Sequence, residues 1–434
     1  MASQMLPRFQ VGDSFFDDAL YDCYRKMGYP AEWLEEGRTY SPSDSYVISH
    51  PTWFFESVPP VPDVSIYGLF NKTASQHPDD PAVIFLDKTA TYRELNDLIG
   101  KYAALLKDLG VKKDDVVAAM LPNSIQHIVA FYGAAMIGAV HTPINVMYQA
   151  DEVAYQITDS GASVVLILDL LYDKVQPLLE NGTIKSVIVT NIKDWAAEDA
   201  VVSGTLKMFW DLPKNPVPGT LDLFESIEKY TPLADSEPVA PKTDTALLLY
   251  TAGTTGKSKG VIETHFNLVF NSLTHTHAFR AWGDREINFS IMPMFHTAGY
   301  FLHLLPTFYQ GGTVIPIPMF DLEDTFRVIQ TYKVNVIFAP PTFFIAMMSN
   351  QELIETHDLT SLAVTIGCGA PVPIAVQESW KAKTSIQLVN GWGMTETNSG
   401  GIISIPGIKE SSDAIGIPVF SEVKITDDNN QVVP

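Results

Sequence analysis

The chain is poor in cysteine. Only Cys23 and Cys368 among its 434 residues carry a thiol, and there is no CxxC pair or zinc-type Cys/His spacing. A disulfide framework and a zinc ribbon are thereby excluded, and two free thiols fit a reducing compartment. Positive charge is scarce too. Lys and Arg number 28 against 50 Asp and Glu, a formal net charge of −22. Such a surface repels phosphate backbones and anionic headgroups, so nucleic acid and anionic membrane are not expected partners. A locally basic pocket for a small anion remains compatible with it. Long apolar runs are missing as well. The longest, IVAFYGAAMIGAV (128–140), is bracketed by His127 and His141. It is too short to span a bilayer and reads as a buried helix running into a strand, so no transmembrane segment is expected. The N-terminus, MASQMLPRFQVGDSFFDD, has no basic start followed by an apolar stretch, so no signal peptide is expected. These absences together describe a soluble cytoplasmic protein, and they say nothing of its oligomeric state.

What the chain does have is apolar content. Hydrophobic residues make up 46% and charged residues 18%, the balance of a folded protein, with length for two or three globular units. Residues 1–62 are irregular and rich in aromatics and proline (HPTWFFESVPPVPDVS), and read as an arm packed on the body. From 63 to 244, helical patterns (YGLFNKTASQH, TYRELNDLIGKYAALLKDLG, NSIQHIVAFYGAAMIG) alternate with short apolar runs (DVVAAML, SVVLIL, SVIVT). Such alternation predicts βα units and a mostly parallel sheet covered by helices. The polar, proline-bearing stretch LKMFWDLPKNPVPGTLD (206–222) reads as a loop or linker. A second alternation runs from 245 to 405 through TALLLY, NFSIMP, GGTVIPIP, VNVIFAP, AVTIGCG and SIQLVNG. Residues 406–434 (IGIPVF, EVKITDD) then read as the start of a small β subdomain.

TALLLY predicts a buried strand, and TAGTTGKSKG (251–260) follows it. Glycine-freed backbone N–H groups beside threonine hydroxyls suit triphosphate oxygens. The Gly-Lys-Ser within it suggests the phosphate loop of common NTPases, which requires G-x-x-x-x-G-K-[ST]. Counting back from Gly256, the first glycine of that pattern falls on Thr251, so the pattern fails. KGVIETH also reads as a strand where an NTPase loop opens a helix.

The stretch YTAGTTGKSKGVIETHFNL resembles instead the phosphate loop of the AMP-forming adenylating superfamily, which holds acyl- and aryl-CoA synthetases, luciferases and peptide-synthetase adenylation domains. Its usual form is [ST]-S-G-T-T-G-x-P-K-G. Ala252 stands for the usual Ser and removes a hydroxyl donor; Ser258 stands for the usual Pro, which should loosen the loop before Lys259. Further segments resemble the family in the same order: MPMFHTAGY (292–300), FAPPTFF (338–344), GCGAPVP (367–373) and NGWGMTET (390–397). TYRELND and the run from Asp114 to Asn145 are similar to it too, so the resemblance covers roughly 60–434. Taken alone, His296 reads as a core histidine, Trp392 as a core aromatic, Glu396 as a surface charge, and Thr342 as a helix cap. Cys368 reads as a small buried hydrophobe either way.

The resemblance implies an α/β fold of two helix-covered, mostly parallel βαβ sheet subdomains with the start of a small β-barrel subdomain. The family's ribose aspartate, hinge and C-terminal lid with its catalytic lysine would lie beyond Pro434. On that footing this chain is the large N-terminal domain, with weak adenylation and no efficient thioester formation by itself. The implied chemistry is attack of a carboxylate on the α-phosphate of ATP, giving an acyl-adenylate that a thiol then opens. Carried over residue by residue, the catalytic set is Lys259, His296, Thr395 and Glu396. ATP or AMP would meet Thr251, Gly253, Thr254, Thr255, Gly256, Lys257, Gly369, Ala370, Pro371, Asn390, Gly391, Trp392, Gly393 and Thr395. The acyl pocket would take His296, Thr297, Gly299 and Gly369, and Mg²⁺ would sit on Thr255 and Glu396. ATP, Mg²⁺, coenzyme A and a small carboxylic acid are the implied partners. Trp392 in G-W-G-M-T-E looks like medium- and long-chain fatty acyl-CoA synthetases. The Phe-, Leu- and Met-rich stretch from His296 to Met348 would line an apolar tunnel or simply be core. A coumarate-type aryl-CoA ligase, a carrier-loading adenylation domain and a non-catalytic adenylate-binding module are the alternatives.

Overall fold

A computed structural model describes residues 61–251, 257–279, 285–404, 415–418, 423, 425–429 and 431. Nearly all of the expected arm and most of the expected β subdomain lie outside them. The strands are β1 (Pro81–Phe85), β2 (Lys88–Thr91), β3 (Val116–Met120), β4 (Val140–Pro143), β5 (Val164–Leu168), β6 (Ser186–Thr190), β7 (Leu221–Asp222), β8 (Thr245–Tyr250), β9 (Gly260–Thr264), β10 (Ile287–Ser290), β11 (Thr313–Pro316), β12 (Val336–Ala339), β13 (Val364–Gly367), β14 (Leu388–Trp392), β15 (Ile402–Ile403) and β16 (Ile417–Pro418). The helices are α1 (Ile66–Gln76), α2 (Tyr92–Asp108), α3 (Ile125–Met136), α4 (Ala150–Ser160), α5 (Gln176–Glu180), α6 (Gly204–Trp210), α7 (Leu223–Ile227), α8 (His265–Phe279), α9 (Leu305–Tyr309), α10 (Leu322–Tyr332), α11 (Pro341–Met348), α12 (Gln351–Thr356) and α13 (Ile374–Thr384).

Two sheets form. The 7-stranded sheet runs β7-β6-β5-β3-β4-β8-β9 and is parallel except for β9, which pairs antiparallel with β8. The 9-stranded sheet runs β16-β15-β14-β13-β12-β10-β11-β1-β2. Its six-strand run β14-β13-β12-β10-β11-β1 is parallel, and β2 at one end and β15 and β16 at the other pair antiparallel. The central strands β12 (VIFA) and β13 (VTIG) are buried at every position, as a parallel sheet covered on both faces requires.

The helices between the sheets explain how the two become one body. Tyr92, Leu95, Ile99, Tyr102, Ala103 and Leu106 recur on one face of α2 and are buried. Thr91 caps α2 by accepting from the Glu94 N–H, while Glu94 accepts from the Thr91 N–H. Alpha-helix α3 is buried at every residue. It meets α2 where Gly133 lies under Tyr102: an added Cβ would come 2.6 Å from that ring. Phe70 of α1 lies 4.6 Å from Tyr132 of α3 and 5.4 Å from Phe308 of α9, centroid to centroid. Removing a ring from this cluster would cost about 3–5 kcal/mol.

Several sequence expectations change here. The boundary at 244/245 does not sort strands into sheets: β1 and β2 join the later strands, and β8 and β9 join the earlier ones. The β1–β2 hairpin carries no Asn-Gly or Asp-Gly signal; Leu86 and Asp87 turn it with positive φ of 46° and 62°. The stretch read as a linker at 206–222 begins inside α6, anchored by buried Leu206, and ends in β7. Thr342 does not cap its helix. Pro340 holds the cap position and Pro341 opens α11, because proline gives up an N–H that is unpaired there anyway.

Candidate active site

Ligands of open α/β sheets gather beyond the carboxyl ends of the parallel strands. In the 9-stranded sheet those ends carry Met292–Gly299 after β10, Pro340 after β12, Cys368–Pro373 after β13 and the Trp392–Glu396 turn at β14. Four separate sequence motifs therefore open on one edge.

Cross-links hold them there. Asn123, buried in the turn after β3, donates from Nδ2 to the carbonyls of Ser290 and Met292 (2.9 Å each) and accepts from the Met294 N–H (2.7 Å). Asn390 Oδ1 accepts from the Val372 N–H at 3.1 Å, and the Asn390 carbonyl accepts from Ser404. Asn390 thus fixes the 368–373 loop, and its oxygen is already used. Gly369 sits at φ 78° and is exposed, as are Ala370 and Pro371. A Cβ there would lie 3.9 Å from Met292 Cε, so conformation rather than crowding calls for glycine.

Around His296 the chain folds on itself: the His296 N–H donates to Pro293 O (2.9 Å) and the Gly299 N–H to His296 O (3.0 Å). A Cβ on Gly299 would strike Pro293 O at 2.4 Å. Gly299, placed by the sequence in the acyl pocket, is buried and spent on this turn. The His296 residue is exposed, and desolvation by the surrounding protein lowers its pKa. Next to it, the buried Thr297 hydroxyl has no partner among the described residues. Buried polar groups are mostly paired, so this free hydroxyl beside His296 is a candidate contact for a ligand or water.

The loop read as phosphate-binding joins antiparallel β8 and β9, with the Thr251 N–H donating to Lys259 O at 3.0 Å. It is a hairpin connection and not the strand-to-helix turn of an NTPase loop. Gly253, Thr254, Thr255 and Gly256, with Ala252, lie outside the described residues. At the loop base the Ser258 hydroxyl donates to Thr251 O, and Tyr155 of α4 donates to Ser258 O at 2.9 Å. The hydroxyl that replaces proline's ring therefore ties the loop instead of loosening it. Lys257 Nζ lies 5.2 Å over the Tyr155 ring, and Lys259 is exposed.

Trp392 is 42% exposed, its ring lying over Gly401, where a Cβ would come within 2.9 Å. Gly391 faces Ile366, and a Cβ on Gly393 would strike the Ser399 backbone at 2.4 Å, so Gly393 closes the turn that presents Thr395 and exposed Glu396. Cys368 is buried, its thiol pushed up to about 12 by burial, and so is inert. Asn123 and Tyr155 escaped the sequence reading because each acts across the fold. The one available signal for the first was a polar residue ending an apolar strand just before a helix.

A family model described as AMP-binding enzyme matches residues 70–434. A long-chain-fatty-acid–CoA ligase of Bacillus subtilis is 29% identical over 351 residues, covering 78% of this chain and 61% of its own length. The chain thus spans less than two thirds of that relative. Among solved structures, a long-chain-fatty-acid-CoA ligase (FadD1) from Archaeoglobus fulgidus superposes with TM-score 0.74 at 24% identity, covering 87% of this chain and 73% of its own. The anthranilate CoA ligase AuaEII in complex with anthranoyl-AMP gives TM-score 0.74 at 20% identity, covering 87% and 67%. No helix among the described residues is long and apolar enough to cross a membrane.

Proposed function

The chain belongs to the AMP-binding enzyme family, and from that premise we propose that it serves an AMP-forming acid–CoA ligase acting on a medium- or long-chain fatty acid. The observation that carries the reading is the meeting of the His296, Gly369 and Trp392–Glu396 segments on one sheet edge, with polar groups left unpaired. The B. subtilis relative, named for long-chain fatty acids, supports the substrate class.

In this reading Lys259, with the loop's N–H and hydroxyl groups, neutralises the phosphates as charge gathers during attack on the α-phosphorus. Thr395 donates to phosphate, Trp392 offers its exposed face to adenine, and the 369–371 loop lines the adenylate. His296, uncharged because its pKa is lowered, and the Thr297 hydroxyl orient the acid. A lone carboxylate with hydroxyl neighbours suits a hard cation shared with phosphate oxygens. Among the described residues no group of three His, Cys, Asp or Glu makes a metal cage of its own. The donors fit Mg²⁺ arriving with the nucleotide, held by Glu396 and, by the resemblance, Thr255. Bound there, it would supply charge neutralisation on the phosphates.

A second reading is an aryl-acid ligase, since the anthranilate CoA ligase AuaEII shares the fold. Behind His296, Tyr300 and Phe301 are packed core, Tyr300 lying 4.9 Å from Phe131 and sharing a hydrogen bond with His127 Nε2 at 2.9 Å. Calorimetry with octanoyl-, palmitoyl-, cinnamoyl- and aminoacyl-sulfamoyl-adenosine separates the two. Octanoyl or palmitoyl should bind tightest by about tenfold or more. Cinnamoyl binding tightest would favour the aryl reading, and no binding of any would overturn the residue roles.

A further inference from the structure

We infer that Glu263, on the strand leaving the phosphate loop, is a positioning residue for the Thr395–Glu396 turn, because its buried carboxyl group clamps the Asn398 amide. The inference rests on the reading of Glu396 as the Mg²⁺-binding carboxylate.

The turn is stiff within itself. The Thr397 and Ser399 N–H groups donate to Met394 O, Asn398 N–H to Thr395 O, and Gly400 N–H to Thr397 O, at 2.9–3.2 Å. Its outer residue, Glu396, is exposed and has no side-chain partner among the described residues. The orientation of Glu396 therefore depends on how the whole turn is seated. The seat is at Asn398. Its carbonyl accepts from Asn271 Nδ2 of α8 at 3.0 Å. Its amide faces Glu263 on β9, and with the nitrogen assigned to that side, as the surrounding acceptors require, it donates to both carboxyl oxygens at 2.8 Å. Beyond it, a Cβ on Gly400 would come 3.0 Å from His275 Nε2 of α8.

Two features mark this as more than incidental packing. Asn398 and Ser399 hold positive φ, 57° and 55°, without being glycine, a strained pair that persists only where surroundings enforce it. Glu263 is 2% exposed in a strand otherwise made of Gly, Val, Ile and Thr; a carboxyl group is rarely buried unless it has a partner. Since β9 starts at the loop that carries Lys259 and then grips the turn that carries Glu396, one strand sets the spacing between the phosphate and metal groups.

The test is calorimetric titration of ATP into the full chain with and without Mg²⁺. Wild type should bind ATP more tightly with Mg²⁺. Glu263→Leu and Asn398→Gly should lose that Mg²⁺-dependent gain by about tenfold, as when a buried amide loses its partner, while metal-free ATP binding changes little. Glu263→Gln, which keeps one acceptor for the amide, should restore most of the gain. Asn398→Gly keeps a residue at ease with positive φ, so it carries the test should Glu263→Leu fail to fold. Folded variants that retain the full Mg²⁺ gain would overturn the inference. A wild type that gains nothing from Mg²⁺ would instead overturn the assignment of Glu396 beneath it, before any variant is made.

Discussion

The carboxyl edges of the two sheets are built alike and finished differently. In the 7-stranded sheet the acidic groups at that edge are all paired, although Gln126 Oε1 and Gln156 Oε1 are buried there without a partner among the described residues. Asp169, after β5, accepts from Asn191 Nδ2 (3.1 and 3.0 Å) and from the Leu170 and Asn215 N–H groups (2.9 and 2.8 Å). Asp194, after β6, accepts from Thr190, the Asn191 N–H and Lys214. In the 9-stranded sheet the side chains of His296, Thr297, Thr395 and Glu396 have no hydrogen-bonding partner among the described residues, and a glycine-proline loop stands exposed between them. Equal architecture thus yields a closed edge and an open one. Solvent-facing motif side chains without protein partners, rather than the fold, make the second edge the candidate for chemistry.

Exchanging losses between the two edges is the strongest way to break this contrast. Glu396→Ala should lower acid-dependent ATP–pyrophosphate exchange about a hundredfold, with a melting temperature within about 1 °C of wild type, since nothing folded leans on it. Asp169→Ala should do the reverse. It strands the buried Asn191 amide and unpairs the partly buried Leu170 and Asn215 N–H groups, costing about 2–3 kcal/mol of stability, and leaves nucleotide affinity alone. A destabilised Glu396→Ala, or an Asp169→Ala that loses ATP, would erase the distinction.

Buried histidines belong to neither pattern and sharpen it by pH. Burial lowers His127, His265 and His275 to about 4, His303 to about 3, and His141 well below its usual value. His141 has neither ring nitrogen paired among the described residues. In each case the unfolded chain binds a proton near pH 6.5 that the folded chain refuses. Stability is therefore lost as pH falls from about 6.5 toward 4. His141→Leu should be neutral or stabilising at pH 7, with an advantage growing to about 2 kcal/mol at pH 5. Chemical denaturation at both pH values measures it. A difference that stays flat with pH would mean the folded state protonates His141 freely.

Much of this was legible from local pattern. The alternation 115–121, 163–168 and 186–190 gave strands because β-branched runs of that length must be covered on both faces, and α2 and α3 followed from their apolar spacing. The motif residues pointed to one site because their order matched a known family. What stayed hidden was long-range. Nothing near Pro81 says that it pairs beside Thr313, and nothing near Glu263 says that Asn398 will meet it. A charged residue at an inward strand position was the one visible sign, and its partner is set only by the fold.

The smallest expected effect concerns how the phosphate loop is tied down. Ser258 sits where the family usually has proline, a residue that stiffens a loop by fixing φ. Here stiffness comes from hydrogen bonds: Ser258 Oγ to Thr251 O, and Tyr155 Oη to Ser258 O at 2.9 Å. Both act at the foot of the loop, where Lys257 and Lys259 leave it, and neither group need touch a ligand. Ser258→Ala removes the first bond, and Tyr155→Phe removes the second while keeping the ring under Lys257. A partly buried neutral hydrogen bond is worth about 1 kcal/mol, so each change should weaken ATP about fivefold. The acyl-sulfamoyl-adenosines, which carry no β- or γ-phosphate, should lose less. Equal losses for ATP and the adenylate analogues would place the role of Ser258 in the general seating of β8 and β9 rather than in the triphosphate grip.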